Sequence, residues 1–227
     1  MGLFYEPLST EGFIRIFLAV FFTFIALFYG LRLLRSKRKK PLTFIGEFGS
    51  AHFWGHITFR MFRIAIWAAC VLRVFYQEVD NYLGILGGLT VVEINLLGIT
   101  LMLSGFALVV YAHRSLGRAW HSGIDASERV MIEQSISEHS SESDNIGEVA
   151  AQLVTDGIYS KSRNPIFIGV LFGQFGFFLA LPSLFSAVCF IAGVLAILNQ
   201  VKLEEQHLSV LWNSRYQRYQ QRVPRWL

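Results

Sequence analysis

From Asn164 to Val201 the chain carries no charged residue, and no other feature constrains its fold as strongly. A membrane-spanning helix takes about 20 apolar residues, so this run is too long for one crossing and nearly long enough for two. Pro182-Ser183 at its middle supplies the turn. A tight helical hairpin within lipid is predicted.

The rest of the sequence agrees with a lipid solvent. Ile16 to Leu31 is uncharged between Arg15 and Arg32, and Ile94 to Ala112 lies between Glu93 and Arg114 without a formal charge. Met61 to Val79 forms a further apolar run, interrupted by Arg63 and Arg73 near its ends, where their charges could snorkel to the headgroups. Residues of the AVILMFWYC set make up 53% of the chain and charged residues only 16%, with a mean hydropathy of +0.45. These values exclude disordered and fibrous classes and fit a soluble cytosolic domain poorly. The expected fold is all-α: a multi-pass transmembrane bundle of about five spans, with a carboxyl-terminal helical hairpin over 164–201 and an interfacial amphipathic helix over 202–227.

Charge distribution orients this bundle. Five crossings place Arg32 to Lys40, Arg60, Arg63, Arg114, Arg118, Arg129, Lys161, Arg163, Lys202, Arg215, Arg218, Arg222 and Arg225 on one side, and leave Arg15 and Arg73 on the other. An excess of Lys and Arg marks the cytoplasmic face, so the amino terminus is expected outside and the carboxyl terminus inside. The first apolar run has its basic cluster after it, the reverse of a cleavable signal. A net charge of +4 in this arrangement reflects topology and does not imply nucleic acid.

Asp125 to Gln152 stands apart, with seven acids, one Arg and six serines. It is too polar to offset ordering entropy by burial and reads as a cytoplasmic loop. The two cysteines, Cys70 and Cys189, fall in apolar runs and suggest no disulfide framework. His52 and His56 are four apart but lack an accompanying carboxylate motif, and the six histidines of the chain are too few for a di-iron membrane oxidase; no metal is expected.

The hairpin is bracketed by two polar clusters, Asp156-Gly-Ile-Tyr-Ser-Lys-Ser-Arg-Asn-Pro165 before it and Lys202-Leu-Glu-Glu-Gln-His207 after it. Folding the hairpin brings Glu204 and Glu205 toward Arg163, Tyr159 and the free amides that open the helix after Pro165. A pocket with both signs of charge and an apolar wall suits an amphiphile such as S-adenosylmethionine, whose cationic centres favour carboxylates and aromatic faces. The same residues also serve as topology signals and interfacial caps in spans without chemistry. Beyond them, Leu208, Leu211, Trp212, Arg215, Tyr219 and Arg222 recur at helical spacing and form an amphipathic segment.

Leu153-Val-Thr-Asp-Gly-Ile-Tyr159, Ser162-Arg-Asn-Pro-Ile-Phe-Ile-Gly169, the Glu204-Glu205 pair, Tyr216, Tyr219 and Val223-Pro-Arg-Trp226 follow one another in the order and spacing of a known pattern. It resembles the isoprenylcysteine carboxyl methyltransferases and related phospholipid methyltransferases, from about Leu116-Gly-Arg-Ala-Trp120 to the carboxyl end. The resemblance implies two parts, residues 1–115 with three transmembrane helices and residues 116–227 as the methyltransferase-like region. It further implies an integral membrane enzyme that binds S-adenosylmethionine at the cytosolic end of the hairpin and methylates a lipid-borne or lipidated acceptor. The cofactor would contact Leu153, Val154, Tyr159, Arg163, Asn164, Pro165, Gly169, Glu204 and Glu205. Arg163 and Glu205 would carry the chemistry, and Tyr216, Tyr219 and Trp226 would meet the acceptor.

Where the family has Arg-His-Pro-x-Tyr, this chain has Arg163-Asn164-Pro165-Ile166-Phe167, losing an imidazole and a phenol hydroxyl. Two alternatives follow: an NADPH-dependent enzyme resembling the membrane sterol reductases, and a non-catalytic membrane protein that keeps the fold. The adjacent carboxylates favour a cationic ligand over a nicotinamide phosphate.

Overall fold

The computed structural model describes residues 9–35, 51–116 and 153–227. The acidic segment 125–152, the basic run 36–40 and the stretch 117–120 lie outside the described residues, as do the side chains of His52 and His56. Six α-helices and no β-strand occur among the described residues: α1 Thr10–Arg35, α2 Ala51–Phe75, α3 Val79–Leu83, α4 Val92–Leu116, α5 Pro165–Ala180 and α6 Leu184–Arg222. The five long helices fall on the four apolar runs, two of them sharing the run from Asn164 to Val201. Three of them, over Thr10–Leu31, Val92–Leu116 and Leu184–Arg222, are long and apolar enough to cross a membrane, and α5 is a shorter apolar helix. Large apolar side chains face outward all around the bundle, including Val20, Trp67, Leu97, Phe172 and Leu195. That is the surface of a protein whose solvent is lipid.

Without a hydrophobic drive between helices in lipid, association depends on close packing and small residues. The antiparallel α4–α5 pair shows this directly. Gly98 and Gly105 of α4 meet Gly176 and Gly169 of α5, and a Cβ at Gly98 would lie 2.4 Å from the amide nitrogen of Ala180. At Gly105 it would lie 2.5 Å from the carbonyl oxygen of Gly169, and at Gly169 2.6 Å from that of Gly105. Asn95 closes the seam by donating from Nδ2 to the Leu179 carbonyl at 3.0 Å, which satisfies a free acceptor at the end of α5.

α1 packs on this pair through Ile14, Leu18 and Phe21, one helical face whose neighbours include Met102 and Phe177. α2 runs antiparallel to α1. Trp67 Nε1 donates to Thr23 Oγ1 at 3.0 Å, and the Arg63 guanidinium lies 5.3 Å from the centre of the Tyr29 ring. Arg73 does not snorkel as expected. It is buried with Arg15, and both donate to Asp80, at 2.5 Å from Arg73 Nε to Oδ1. Arg15 also donates to Glu11 at 2.7 Å and to the Arg73 carbonyl at 3.0 Å. A shared carboxylate stabilises both cations better than a headgroup contact that only one could reach.

The expected hairpin is made by α5 and α6. Ser183 caps α6, accepting from the Ser186 amide at 3.1 Å while Ser186 Oγ accepts from the Ser183 amide at 3.1 Å, a reciprocal box at the helix start. The turn is pinned to residues 84–86 by Leu86 N to Pro182 O and Leu184 N to Gly84 O, both 2.9 Å. Gly84 takes φ 65°, a conformation that favours glycine. The interfacial helix expected over 202–227 does not begin at Lys202 and is set apart only beyond a kink at Asn213. α6 continues unbroken from the hairpin to Asn213, whose φ of 33° and ψ of −111° turn its last part, and it ends at Arg222.

Gly98→Val should lower the melting temperature of the detergent-solubilised protein markedly, since overpacking costs about 1–3 kcal/mol. Gly173→Ala, where nothing lies within 4 Å of the added Cβ, should leave it unchanged. In the same assay Asp80→Ala should cost about 3–5 kcal/mol, because two buried guanidinium groups lose their shared counter-charge.

Candidate active site

The mouth of the hairpin, at the end opposite Ser183, collects the polar residues that the sequence brackets around it. Pro165 occupies the first turn of α5, where its missing N–H costs nothing. Before it, residues 157–160 form a 3-10 turn and Gly157 adopts φ 57°. On α6, Glu205 lies one residue past Glu204 and therefore on a different face. Glu205 points into the bundle and is 7% exposed, while Glu204 is half-buried and accepts from Gln200 Nε2 at 3.0 Å.

Glu205 is gripped from two sides. Arg225 donates to it in a two-pronged arrangement, Nη2 to Oε2 at 2.6 Å and Nε to Oε1 at 3.1 Å. Arg163 Nη1 lies 3.2 Å from Oε1, a charge contact whose geometry is not that of a hydrogen bond, and Arg163 Nε is buried without a hydrogen-bond partner. The Arg163 and Glu205 side chains are 11% and 9% exposed, whereas that of Arg225 is 41% exposed. The hydrogen bonds to Glu205 hold the Arg225 guanidinium above its usual pKa, against a smaller opposing effect of burial, so it stays charged.

Arg225 reaches Glu205 because the chain after α6 folds back over the 162–164 turn. The Arg163 amide donates to the Pro224 carbonyl at 3.0 Å. The Arg225 carbonyl accepts from Ser162 Oγ at 3.1 Å and from Asn164 Nδ2 at 3.3 Å. Ser162 is fully buried and its Oγ also accepts from the Asn164 amide at 3.1 Å. Residues 223–225 thus form a strap across the site, and Asn164 is one of its fastenings.

Tyr216 and Tyr219 are buried in a cluster with Val223, against which Leu153, Leu208 and Trp212 pack. Tyr219 donates its hydroxyl to the Tyr159 carbonyl at 2.6 Å. The buried Tyr159 hydroxyl has no hydrogen-bond partner among the described residues. Burial, then the Glu204 charge, push its pKa well above the ordinary tyrosine value, leaving a neutral donor at pH 7.

The expected site residues therefore fall into groups. Arg163, Asn164, Pro165 and Glu205 come together at the hairpin mouth, with Tyr159 in the turn before it and Glu204 next to Glu205 on α6. Val154 is half-buried just before the 3-10 turn. Gly169 sits in the α4–α5 seam, where its missing side chain serves helix contact. Tyr216 and Tyr219 face the interior, and Trp226 is half-buried next to the strap. Sequence reasoning did not single out Arg225 and Ser162. The signal for Arg225 was present: an arginine three residues after a helix, beside a proline, in a chain with an interior carboxylate needing a counter-charge.

Deeper in the bundle, a cleft of about 60 Å³ lies between α2, α5 and α6, lined by Phe62, Arg63, Gln174, Phe177, Cys189 and Gly193. Gln174 Oε1 is buried without a hydrogen-bond partner, and a Cβ at Gly193 would collide with the Gln174 side chain at 2.3 Å.

The sequence matches the phospholipid methyltransferase family over residues 94–215, more than half of the chain. The chain belongs to that family. No curated protein and no solved structure matches it. The family match begins within α4, ahead of the Leu116 at which the sequence resemblance begins, and stops at Arg215, before Tyr216 and the strap. Family membership and the apolar helices together make this a membrane methyltransferase.

Tyr219→Phe should destabilise the protein by about 1 kcal/mol through loss of the bond to the Tyr159 carbonyl. Limited proteolysis should then cut the segment after Arg222 faster than in the unmodified protein.

Proposed function

We propose that the protein is an S-adenosylmethionine-dependent methyltransferase acting on a lipid-borne or apolar acceptor, in the manner of the isoprenylcysteine carboxyl methyltransferases. The observation that carries this reading is the buried carboxylate–guanidinium cluster at the mouth of an apolar hairpin, in a chain of a methyltransferase family. The residues fit such a ligand on their own chemistry. Tyr159 offers an unpaired buried hydroxyl, Arg163 offers unpaired buried donors, and Asn164 makes no side-chain cap to the start of α5, which leaves its first amides free for an anion.

In this reading Glu204 with the Tyr159 ring supplies an anionic and aromatic surface for a cationic centre. Leu153 and Val154 supply an apolar wall, and the segment from Arg163 through Pro165 to Gly169 borders the site. Glu205 fixes the guanidinium groups. When bound, the cofactor supplies an electrophilic methyl group. The chain then has to align the acceptor, exclude water and hold charge, tasks for which no catalytic triad is required. Arg163 is suited to hold an acceptor carboxylate, while an amine acceptor would need a carboxylate to take its proton. Tyr216, Tyr219 and Trp226 form the wall on the strap side. The excess of basic residues at this end of the bundle supports a cytoplasmic site with the amino terminus outside.

One observation favours a non-catalytic reading. Asn164 spends its carboxamide on the Arg225 carbonyl, and Phe167 has no hydroxyl, so two polar groups of the family pattern do not face a ligand. Calorimetry of the full chain in detergent separates the two. S-adenosylmethionine should bind and the reduced nicotinamide cofactor should not; binding of neither would support the non-catalytic reading. Glu205→Gln should weaken binding of S-adenosylmethionine by about tenfold or more, since loss of the carboxylate releases both arginines.

A further inference from the structure

At the hairpin mouth Arg163 and Arg225 bring two positive charges to Glu205, which has one negative charge. A surplus cation at the edge of an apolar bundle is costly unless an anion meets it.

The geometry shows where that anion would dock. Arg225 uses Nε and one side of Nη2 on Glu205. A guanidinium has five N–H donors in a rigid plane, so binding a carboxylate through one edge leaves the edge carrying Nη1 open. The Arg225 side chain is 41% exposed, and Nη1 makes no hydrogen bond among the described residues. Its backbone is fixed as well, through the Ser162 and Asn164 bonds to its carbonyl and the Arg163 bond to Pro224. The open edge is thus held in one orientation before any ligand arrives, which removes most of the ordering cost of binding. Arg163 shows the same surplus from inside, with Nε buried and unpaired.

We propose that Arg225 is a specificity-determining residue of this site, which receives an oxoanion on its outer edge while Glu205, Ser162 and Asn164 act as positioning residues. The oxoanion is the carboxylate of the methyl donor or the phosphate of a lipid headgroup; the first of these rests on the S-adenosylmethionine reading above. Arg225 lies ten residues beyond the end of the family match at Arg215, so the match assigns it no role. The proposal gives the departure at Asn164 a purpose, since the asparagine carboxamide reaches the Arg225 carbonyl and an imidazole at the same position would present different donors.

The test titrates the full chain in detergent with three ligands: S-adenosylmethionine, its decarboxylated form and dihexanoyl phosphatidic acid. Arg225→Gln should weaken one of the two anionic ligands by about tenfold or more and leave the decarboxylated form within about twofold. Selective loss of S-adenosylmethionine identifies the donor carboxylate, and selective loss of phosphatidic acid identifies a lipid phosphate. Equal affinity of variant and unmodified protein for both anions overturns the proposal, as does an equal weakening of all three ligands. If the unmodified protein binds neither form of the methyl donor, the cofactor reading fails by itself, and phosphatidic acid alone decides the role of Arg225. Should Arg225→Gln melt below the assay temperature, Arg225→Lys retains the charge without the fork. It must then show the same selective loss, and unchanged affinity for both anions rejects the proposal.

Discussion

Backbone-to-backbone contact between α4 and α5 is the constraint on which the other features depend. In lipid, helices gain little from burying apolar side chains against one another, so contact distance and internal satisfaction of polar groups decide how they assemble. Four glycines at matched positions let the two helices approach until carbonyl oxygens of one lie where Cβ atoms of the other would be. That approach sets the position of Pro165 and the turn before it relative to the end of α4. α1 then covers the seam, and α6 returns from a capped turn pinned at Gly84.

Charged residues within this assembly are used in pairs of arginines, each pair around one carboxylate. At one end, Arg15 and Arg73 share Asp80, with Glu11 completing the neutral group. At the other, Arg163 and Arg225 share Glu205. The first arrangement locks α1 to α2 and the α3 turn. The second sets two guanidinium groups on one carboxylate beside a buried phenol, Tyr159, that has no hydrogen-bond partner among the described residues, at the mouth of an apolar hairpin.

Much of this was legible in the sequence because lipid imposes simple rules. The absence of charge between Asn164 and Val201, with Pro182-Ser183 inside it, was sufficient for the hairpin, and the hairpin was sufficient to bring Glu205 to Arg163. Other features depended on tertiary contact and had no local signal. Arg73 reads as a snorkelling residue until Asp80 and Arg15 are seen to meet it. The amphipathic pattern after Lys202 reads as a separate interfacial helix, yet the backbone continues α6 to Asn213 and the apolar positions pack on Leu153 and the strap. Tyr216 and Tyr219 look like an aromatic belt by spacing alone. Their burial follows from the fold-back of residues 223–225, which no periodicity encodes.

The strap also orders events in time. Its residues follow the described helices in the sequence, whereas the carboxylate and the turn that it joins are made earlier. During synthesis at the membrane, Glu205 and Arg163 can meet as soon as the hairpin has inserted, but Arg225 has yet to leave the ribosome. The charge cluster is therefore completed only after the hairpin that carries Arg163 and Glu205 has been made, and until then the carboxylate has one guanidinium beside it and not two.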